Sequence, residues 1–158
     1  MTFCAIEAGY IYILQNPAFS PDTLKIGKTR RDVYTRAREL SQETGVPEDF
    51  VVAYSAAVWD VAQAERLLFS RLSDFRPKTC KEYFRLPVAS AAAAAEEVVS
   101  AVNSQKRETL VERLKTWQQF GHEMRERDEA LRQLLLTEQE YPELCYWLHD
   151  APDPPEEV

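Results

Sequence analysis

The sequence has little of what marks several large protein classes. No apolar run approaches the roughly 18 residues that a membrane-spanning helix needs. The opening residues MTFCAIEAGY lack the basic stretch and the long apolar core of a secretory signal. Three cysteines, Cys4, Cys80 and Cys145, are far apart without CxxC spacing, which favours free thiols in a reducing compartment. We therefore expect a cytoplasmic protein without membrane contact.

Motifs of several enzyme classes are missing as well. The chain contains no GxxxxGKS or GxxxxGKT loop, no GxGxxG after a strand, no HExxH and no GxSxG. Its two histidines, His122 and His149, have no cysteine nearby, so a zinc site is not expected. A hydrophobic share of 45% nevertheless predicts a packed core.

The net charge of −7 is unevenly divided along the chain. Residues 1–88 carry 12 Lys and Arg against 11 Asp and Glu, whereas residues 89–158 carry 7 against 15. The N-terminal part also holds a basic cluster of Lys25, Lys28, Arg30, Arg31, Arg36 and Arg38. Such a cluster is the minimum that phosphate binding needs, and it is equally compatible with a solvated helix face.

The first 87 residues predict an α+β domain with a mostly antiparallel sheet flanked by helices. Asp32 has the position of a helix cap, and Asp60 with Gln63 has the spacing of a capping box. Strands are expected at 10–14, 24–26, 50–58 and 83–86, and helices at 33–43 and 61–74. The resulting element order is ββαβαβ.

A helical extension is predicted after this domain. Residues 91–99 are rich in alanine and glutamate, and a longer helix is expected over 106–137. Steps of four and three from position 110 to position 135 carry six apolar residues of eight, a seam typical of a coiled coil. Such a seam must fold back on its own domain or pair with a second copy, and we expect pairing into a homodimer. The expected divisions are a domain of 8–87, a helical extension of 88–149 and a disordered acidic, proline-rich tail of 150–158.

Two charged residues lie where an amphipathic helix is usually apolar. Glu65 falls at the flank of the apolar face of the second helix, and Arg36 flanks Leu40 on the first. A half-buried carboxylate is costly unless it is paired or holds a cation. The two residues therefore indicate either a functional site or a structural ion pair at the helix packing boundary.

The order of several short motifs resembles the GIY-YIG superfamily of nucleases. The motifs are Gly9-Tyr10-Ile11-Tyr12-Ile13-Leu14, Leu24-Lys25-Ile26-Gly27-Lys28-Thr29, Arg36 within Arg-Ala-Arg-Glu-Leu, Gly45-Val46-Pro47, Ala64-Glu65 and Glu82-Tyr83-Phe84. Within the superfamily, the series is similar to the bacteriophage Orf-type branch, which is described as a DNA-binding or nuclease domain. The resemblance covers about 80 of the 158 residues.

The resemblance implies a catalytic set of Tyr12, Lys25, Arg36 and Glu65. Tyr12 would orient or activate the attacking water, Arg36 would hold the scissile phosphate, and Glu65 would bind Mg²⁺ or Mn²⁺. Lys25 replaces a tyrosine of many relatives and would bind phosphate or, in a suitable environment, accept a proton. Contacts with the substrate are expected from Tyr10, Gly27, Lys28, Arg30 and Glu82. We expect the four catalytic residues to converge on one open concavity.

Phe69 departs from the branch, which often has a histidine at this position. Because neither histidine of the chain lies in the domain, a histidine base is excluded. The leading hypothesis is a metal-dependent DNA endonuclease. The alternatives are a DNA-binding module that has lost turnover and a protein-interaction role for the acidic helices.

Overall fold

Four strands and three helices make up most of the described part of the chain, which is residues 7–79, 81–120 and 136–145 of a computed structural model. The strands are β1 (Gly9–Gln15), β2 (Thr23–Thr29), β3 (Val51–Val58) and β4 (Tyr83–Arg85), and the helices are α1 (Val33–Ser41), α2 (Val61–Arg71) and α3 (Val88–Phe120). Single 3-10 turns follow at Ser73–Phe75 and Pro142–Leu144. The predicted α+β class is confirmed.

The strands form one sheet in the order β3-β1-β2-β4, and all three strand pairs are antiparallel. β4 is short and pairs with β2 over Thr23–Lys25, after which the Ile26 N–H donates to the Glu82 carbonyl at 3.0 Å. Among the described residues, no strand pairs with the outer edge of 27–29. β2 therefore ends in a free edge.

Both predicted caps are present at the helix starts. The Asp32 carboxylate accepts from the Thr35 N–H at 2.7 Å at the start of α1. The Asp60 carboxylate accepts from the Gln63 N–H at 2.9 Å at the start of α2. These bonds satisfy backbone donors that have no partner inside a helix, so they fix where α1 and α2 begin.

The two faces of the sheet are covered by different helices. Alternate side chains of β1 and β2 point to opposite faces. One face packs against α1 through a cluster of Tyr12, Leu14, Val33, Ala37, Leu40 and Phe50. The other face packs against α2 and the first half of α3 in the main core, which includes Ile11, Ile13, Ile26, Leu68, Phe84 and Val102. The sheet thus separates α1 from α2.

The helix expected at 91–99 and the described part of the helix expected at 106–137 are joined in one helix, α3; residues 121–135 lie outside the described residues. No glycine or proline interrupts residues 88–120, so the helix has no local reason to stop between them. Its first half contributes Ala91, Ala94, Ala95, Val98, Val99 and Val102 to the main core. This half therefore belongs structurally to the sheet layers, and the division of the chain at residue 87 stays a prediction.

The described end of the chain folds back on the domain. Tyr141, Leu144 and Cys145 are buried with Ala8, Trp59 and Leu110 in a second cluster, against which Leu114 also packs. The first seam positions, Leu110 and Leu114, thus contact their own chain. The seam positions from 121 to 135 and the tail of 150–158 lie outside the described residues. Across the described residues, no helix combines the length and the apolar character that crossing a membrane requires.

Candidate functional site

Tyr12 and Gly27 face each other across β1 and β2. A Cβ atom added to Gly27 would lie 2.6 Å from the Tyr12 hydroxyl oxygen and 2.9 Å from Cζ. The phenol ring therefore lies directly over the glycine, and a larger residue would displace it. Tyr12 is 3% exposed.

Arg36 of α1 lies near the Tyr12 hydroxyl. The guanidinium is close enough to the Tyr12 hydroxyl for each group to act on the pKa of the other, and its Nη1 lies 3.3 Å from Glu39 Oε2. Burial raises the pKa of Tyr12, although Arg36 opposes the shift. The phenol thus keeps its proton at neutral pH, which suits it to orient Arg36 rather than to act as a base.

Lys25 and Glu82 lie beside this pair. Lys25 Nζ is 2.5 Å from Glu82 Oε2 and 5.1 Å from the centre of the Tyr83 ring. Both charges are close enough to Tyr12 to act on its pKa, which Lys25 lowers and Glu82 raises. Tyr12, Lys25, Gly27, Arg36 and Glu82 therefore form one group on the α1 face, called here the tyrosine–arginine cluster.

Glu65 does not lie in this cluster. It belongs to α2, which packs on the opposite face of the sheet, and its Oε2 is 2.9 Å from Lys28 Nζ. The half-buried carboxylate is thus paired, as its position on the helix required, but with a strand lysine and not with Arg36. The structure brings Tyr12, Lys25 and Arg36 together and places Glu65 on the other face of the sheet, so the prediction that all four residues converge on one concavity is wrong.

The free edge of β2 connects the two groups. Gly27 belongs to the tyrosine–arginine cluster, and the next residue, Lys28, holds Glu65 on the other face. Because the Ile26 N–H points outward to Glu82, strand alternation directs the Lys28 N–H outward as well. A polyanion lying along this edge would have cationic groups on both sides and a backbone donor between them.

The donors for a metal ion are few. Within the described residues, no group of three or more His, Cys, Asp or Glu side chains could hold one. Mg²⁺, however, is often bound by one or two carboxylates, with water and phosphate completing the shell. Glu65 is the carboxylate predicted for that role, and the Lys28 ammonium now pairs with it, so a metal ion would have to displace Lys28.

Phe69 serves the core instead of the site. Its ring centre is 5.1 Å from that of Phe84, and the Arg76 guanidinium lies 5.0 Å above it. The position therefore supplies apolar and cation–π packing, where a histidine would have supplied a proton acceptor.

Two predicted substrate contacts, Tyr10 and Arg30, contact the segment 136–145. The Tyr10 hydroxyl donates to Glu143 Oε1 at 3.0 Å, and burial, followed by that carboxylate, raises the pKa of Tyr10 to about 12. The Arg30 carbonyl accepts from the Tyr141 hydroxyl at 2.7 Å. These contacts lie at the start of α1, next to the basic residues.

Sequence reasoning missed one member of the site, Glu39. Its carboxylate contacts both Arg31 and Arg36. The spacing of three residues from Arg36 on a helix is a signal that could have indicated this pair.

A family model matches residues 9–104, which is more than half of the chain, and its description is T5orf172 domain. The chain belongs to the T5orf172 domain family. This is a phage-associated domain related to nuclease-like folds. The match contains the whole sheet, the tyrosine–arginine cluster, Glu65 and the first half of α3. Searches among curated proteins and among solved structures found no match.

Proposed function

We propose that this T5orf172 domain is a metal-dependent DNA endonuclease of the GIY-YIG type. The observation that carries the proposal is the Tyr12–Arg36 pair packed over Gly27, with Lys25 beside it. A guanidinium held in this way is oriented in advance for a phosphate, whose charge grows during hydrolysis. The relation of the family to nuclease-like folds also supports this proposal.

Each residue of the cluster has a separate task in this proposal. Arg36 binds the scissile phosphate, and Tyr12 fixes the direction of the Arg36 fork. Lys25 adds positive charge, which Glu82 holds in place. Gly27, which has no side chain, leaves room for the Tyr12 ring.

Glu65 is the residue that would hold Mg²⁺ or Mn²⁺. When bound, the ion would neutralise charge on the phosphate and lower the pKa of a coordinated water. Lys28, which pairs with Glu65 in the free protein, would then be released to bind phosphate along the free edge of β2. Because Glu65 and Arg36 lie on opposite faces of the sheet, a substrate that contacts both would have to follow the free edge of β2 at residues 27–29.

The plasmid-nicking experiment tests this function. Full-length protein is incubated with supercoiled DNA and Mg²⁺ or Mn²⁺, and we expect nicking that EDTA abolishes. Glu65→Gln should lower the rate about 100-fold or more while DNA affinity stays equal or rises slightly, because a negative charge near phosphate is lost. The matched control, Glu96→Gln, removes an exposed carboxylate from α3 and should cleave normally. Normal cleavage by Glu65→Gln would show that this glutamate is structural.

The second candidate function is a DNA-binding module without turnover. Phe69 in its aromatic cluster and the raised pKa of Tyr12 favour it, since neither supplies a base. An open groove of about 440 Å³ beside Tyr83, also lined by Phe19 and Arg85, offers room for a flanking nucleotide. Salt-dependent DNA binding without nicking under any divalent ion would select this candidate.

A further inference from the structure

One carboxylate, Glu39, lies between two guanidinium groups. Arg31 donates to it with both terminal nitrogens, Nη1 to Oε1 at 2.8 Å and Nη2 to Oε2 at 2.9 Å. Arg36 Nη1 reaches Oε2 at 3.3 Å. The hydrogen bond from Arg31 holds the pKa of Glu39 below its ordinary value, so the group is an anion at neutral pH.

These ion pairs are exposed to solvent, so another anion can replace the Glu39 carboxylate. The side chains of Arg31 and Glu39 are 64% and 37% exposed. Ion pairs in such surroundings contribute little stability, because water and salt screen them. A phosphate with two charge-assisted bonds to the same guanidinium groups can therefore compete with the carboxylate.

We infer that Arg31 and Arg36 form a phosphate clamp. In the free protein, the Glu39 carboxylate occupies the position that the phosphate takes when nucleic acid binds. The inference rests on the proposed function and adds Arg31 as a second guanidinium on the phosphate that Arg36 holds. The two oxygens of Glu39 present the planar, bidentate pattern that two oxygens of a phosphodiester also present. When the phosphate enters, the Glu39 side chain turns to solvent, to which it is already exposed.

A different role for Glu39 predicts the opposite change in DNA affinity when the carboxylate is removed. If Glu39 positions Arg36 in the complex as well, its removal lowers DNA affinity. If Glu39 is a placeholder, its removal raises affinity, because the phosphate no longer has to displace it. Glu39→Gln separates the two roles, since glutamine keeps the shape and the helix propensity of the residue.

The experiment measures DNA affinity of the full chain by fluorescence anisotropy with a labelled duplex. We expect Glu39→Gln to bind about three- to tenfold more tightly, and the gain to shrink when Arg31→Ala is added. Glu43→Gln removes the same charge just beyond α1 and should change affinity less than about twofold. Arg31→Ala should weaken binding about tenfold and more than Arg38→Ala, which removes the same charge from the same helix region.

The possible failures can be told apart. Weaker binding by Glu39→Gln, or equal effects of Arg31→Ala and Arg38→Ala, would overturn the clamp while leaving the proposed function in place. Equal gains from Glu39→Gln and Glu43→Gln would do the same, because they would reflect net charge alone. No DNA binding by the wild-type chain would overturn the proposed function and the clamp with it.

Discussion

Tyr12 and Gly27 depend on each other, and this dependence decides what Tyr12 can do. The ring occupies the space above the glycine and reaches Arg36 from there. Burial raises its pKa, so the chemistry available to it is hydrogen bonding by a neutral phenol. The role of this tyrosine is therefore set by its surroundings and not by its acidity.

The variant Gly27→Ala tests this dependence. The new methyl group would meet the Tyr12 hydroxyl, so the ring must move and Arg36 loses its partner. We expect a loss of about 1–3 kcal/mol in the free energy of unfolding, as overpacking usually causes, and weaker DNA binding. Urea denaturation measures the first effect. Tyr12→Phe removes the nearest atom and should partly relieve the strain, so strict additivity in the double variant would show that the two residues do not touch.

Single residues of the site could be predicted from the sequence, but their partners could not. The positions of Glu65 and Arg36 on their helix faces marked them as costly unless paired. The partners come from other elements: Lys28 from β2 for Glu65, and Tyr12 from β1 for Arg36. Helix periodicity carries no information on which face of a sheet a helix covers, so it could not show that Glu65 and Arg36 lie on opposite faces.

The length of α3 is also something that the sequence alone did not predict. Local composition predicted helix on both sides of residues 100–105, and packing joins the two parts. Asn103, a polar residue in this part of α3, connects the helix to the sheet. Its side chain accepts from the Trp59 N–H at 2.9 Å and donates to the Ala57 carbonyl at 3.2 Å. The helix is thereby attached to the end of β3.

Replacing Asn103 by alanine should therefore destabilise the domain. Both backbone groups would lose a partner, and we expect a loss of about 1–3 kcal/mol in the free energy of unfolding. The neighbouring exposed residue gives the control, since Ser104→Ala should change stability by less than about 0.5 kcal/mol. Chemical denaturation of both variants provides the comparison. Equal stabilities would mean that water replaces Asn103 at no cost.

In the molecule as a whole, the segment 136–145 lies beside the start of α1 and its basic residues. Tyr141 binds the backbone of Arg30, and Glu143 binds Tyr10. The first seam residues, Leu110 and Leu114, pack in the same cluster. They therefore contribute to this internal packing, and pairing of two chains stays a prediction for the later seam positions. Light scattering on the full chain and on a chain ending at Asn103 would test it.

The reactivity of the Cys145 thiol shows whether the segment 136–145 is docked on the domain. The residue is fully buried, and burial raises the pKa of its thiol to about 12. The thiolate is the reactive form, so at pH 8 both access and ionisation oppose modification. In a chain with Cys4→Ser and Cys80→Ser, we expect Cys145 to react with a thiol reagent at least about 100-fold more slowly than a free cysteine. The rate should rise as pH increases from about 9 toward 12, because in this range the undocked thiol ionises while the docked thiol stays protonated, which disfavours docking.

Variants of the docked segment should change the labelling rate of Cys145 by different amounts. Tyr141→Phe removes the bond to Arg30 and should raise the labelling rate roughly fivefold, the effect of about one kcal/mol. Leu144→Ala removes a buried side chain and should raise it roughly 30-fold or more. Leu136→Ala changes an exposed leucine of the same segment and should leave the rate unchanged. Fast labelling in the parent chain, or equal rates in all three variants, would show that the segment does not dock on the domain in solution.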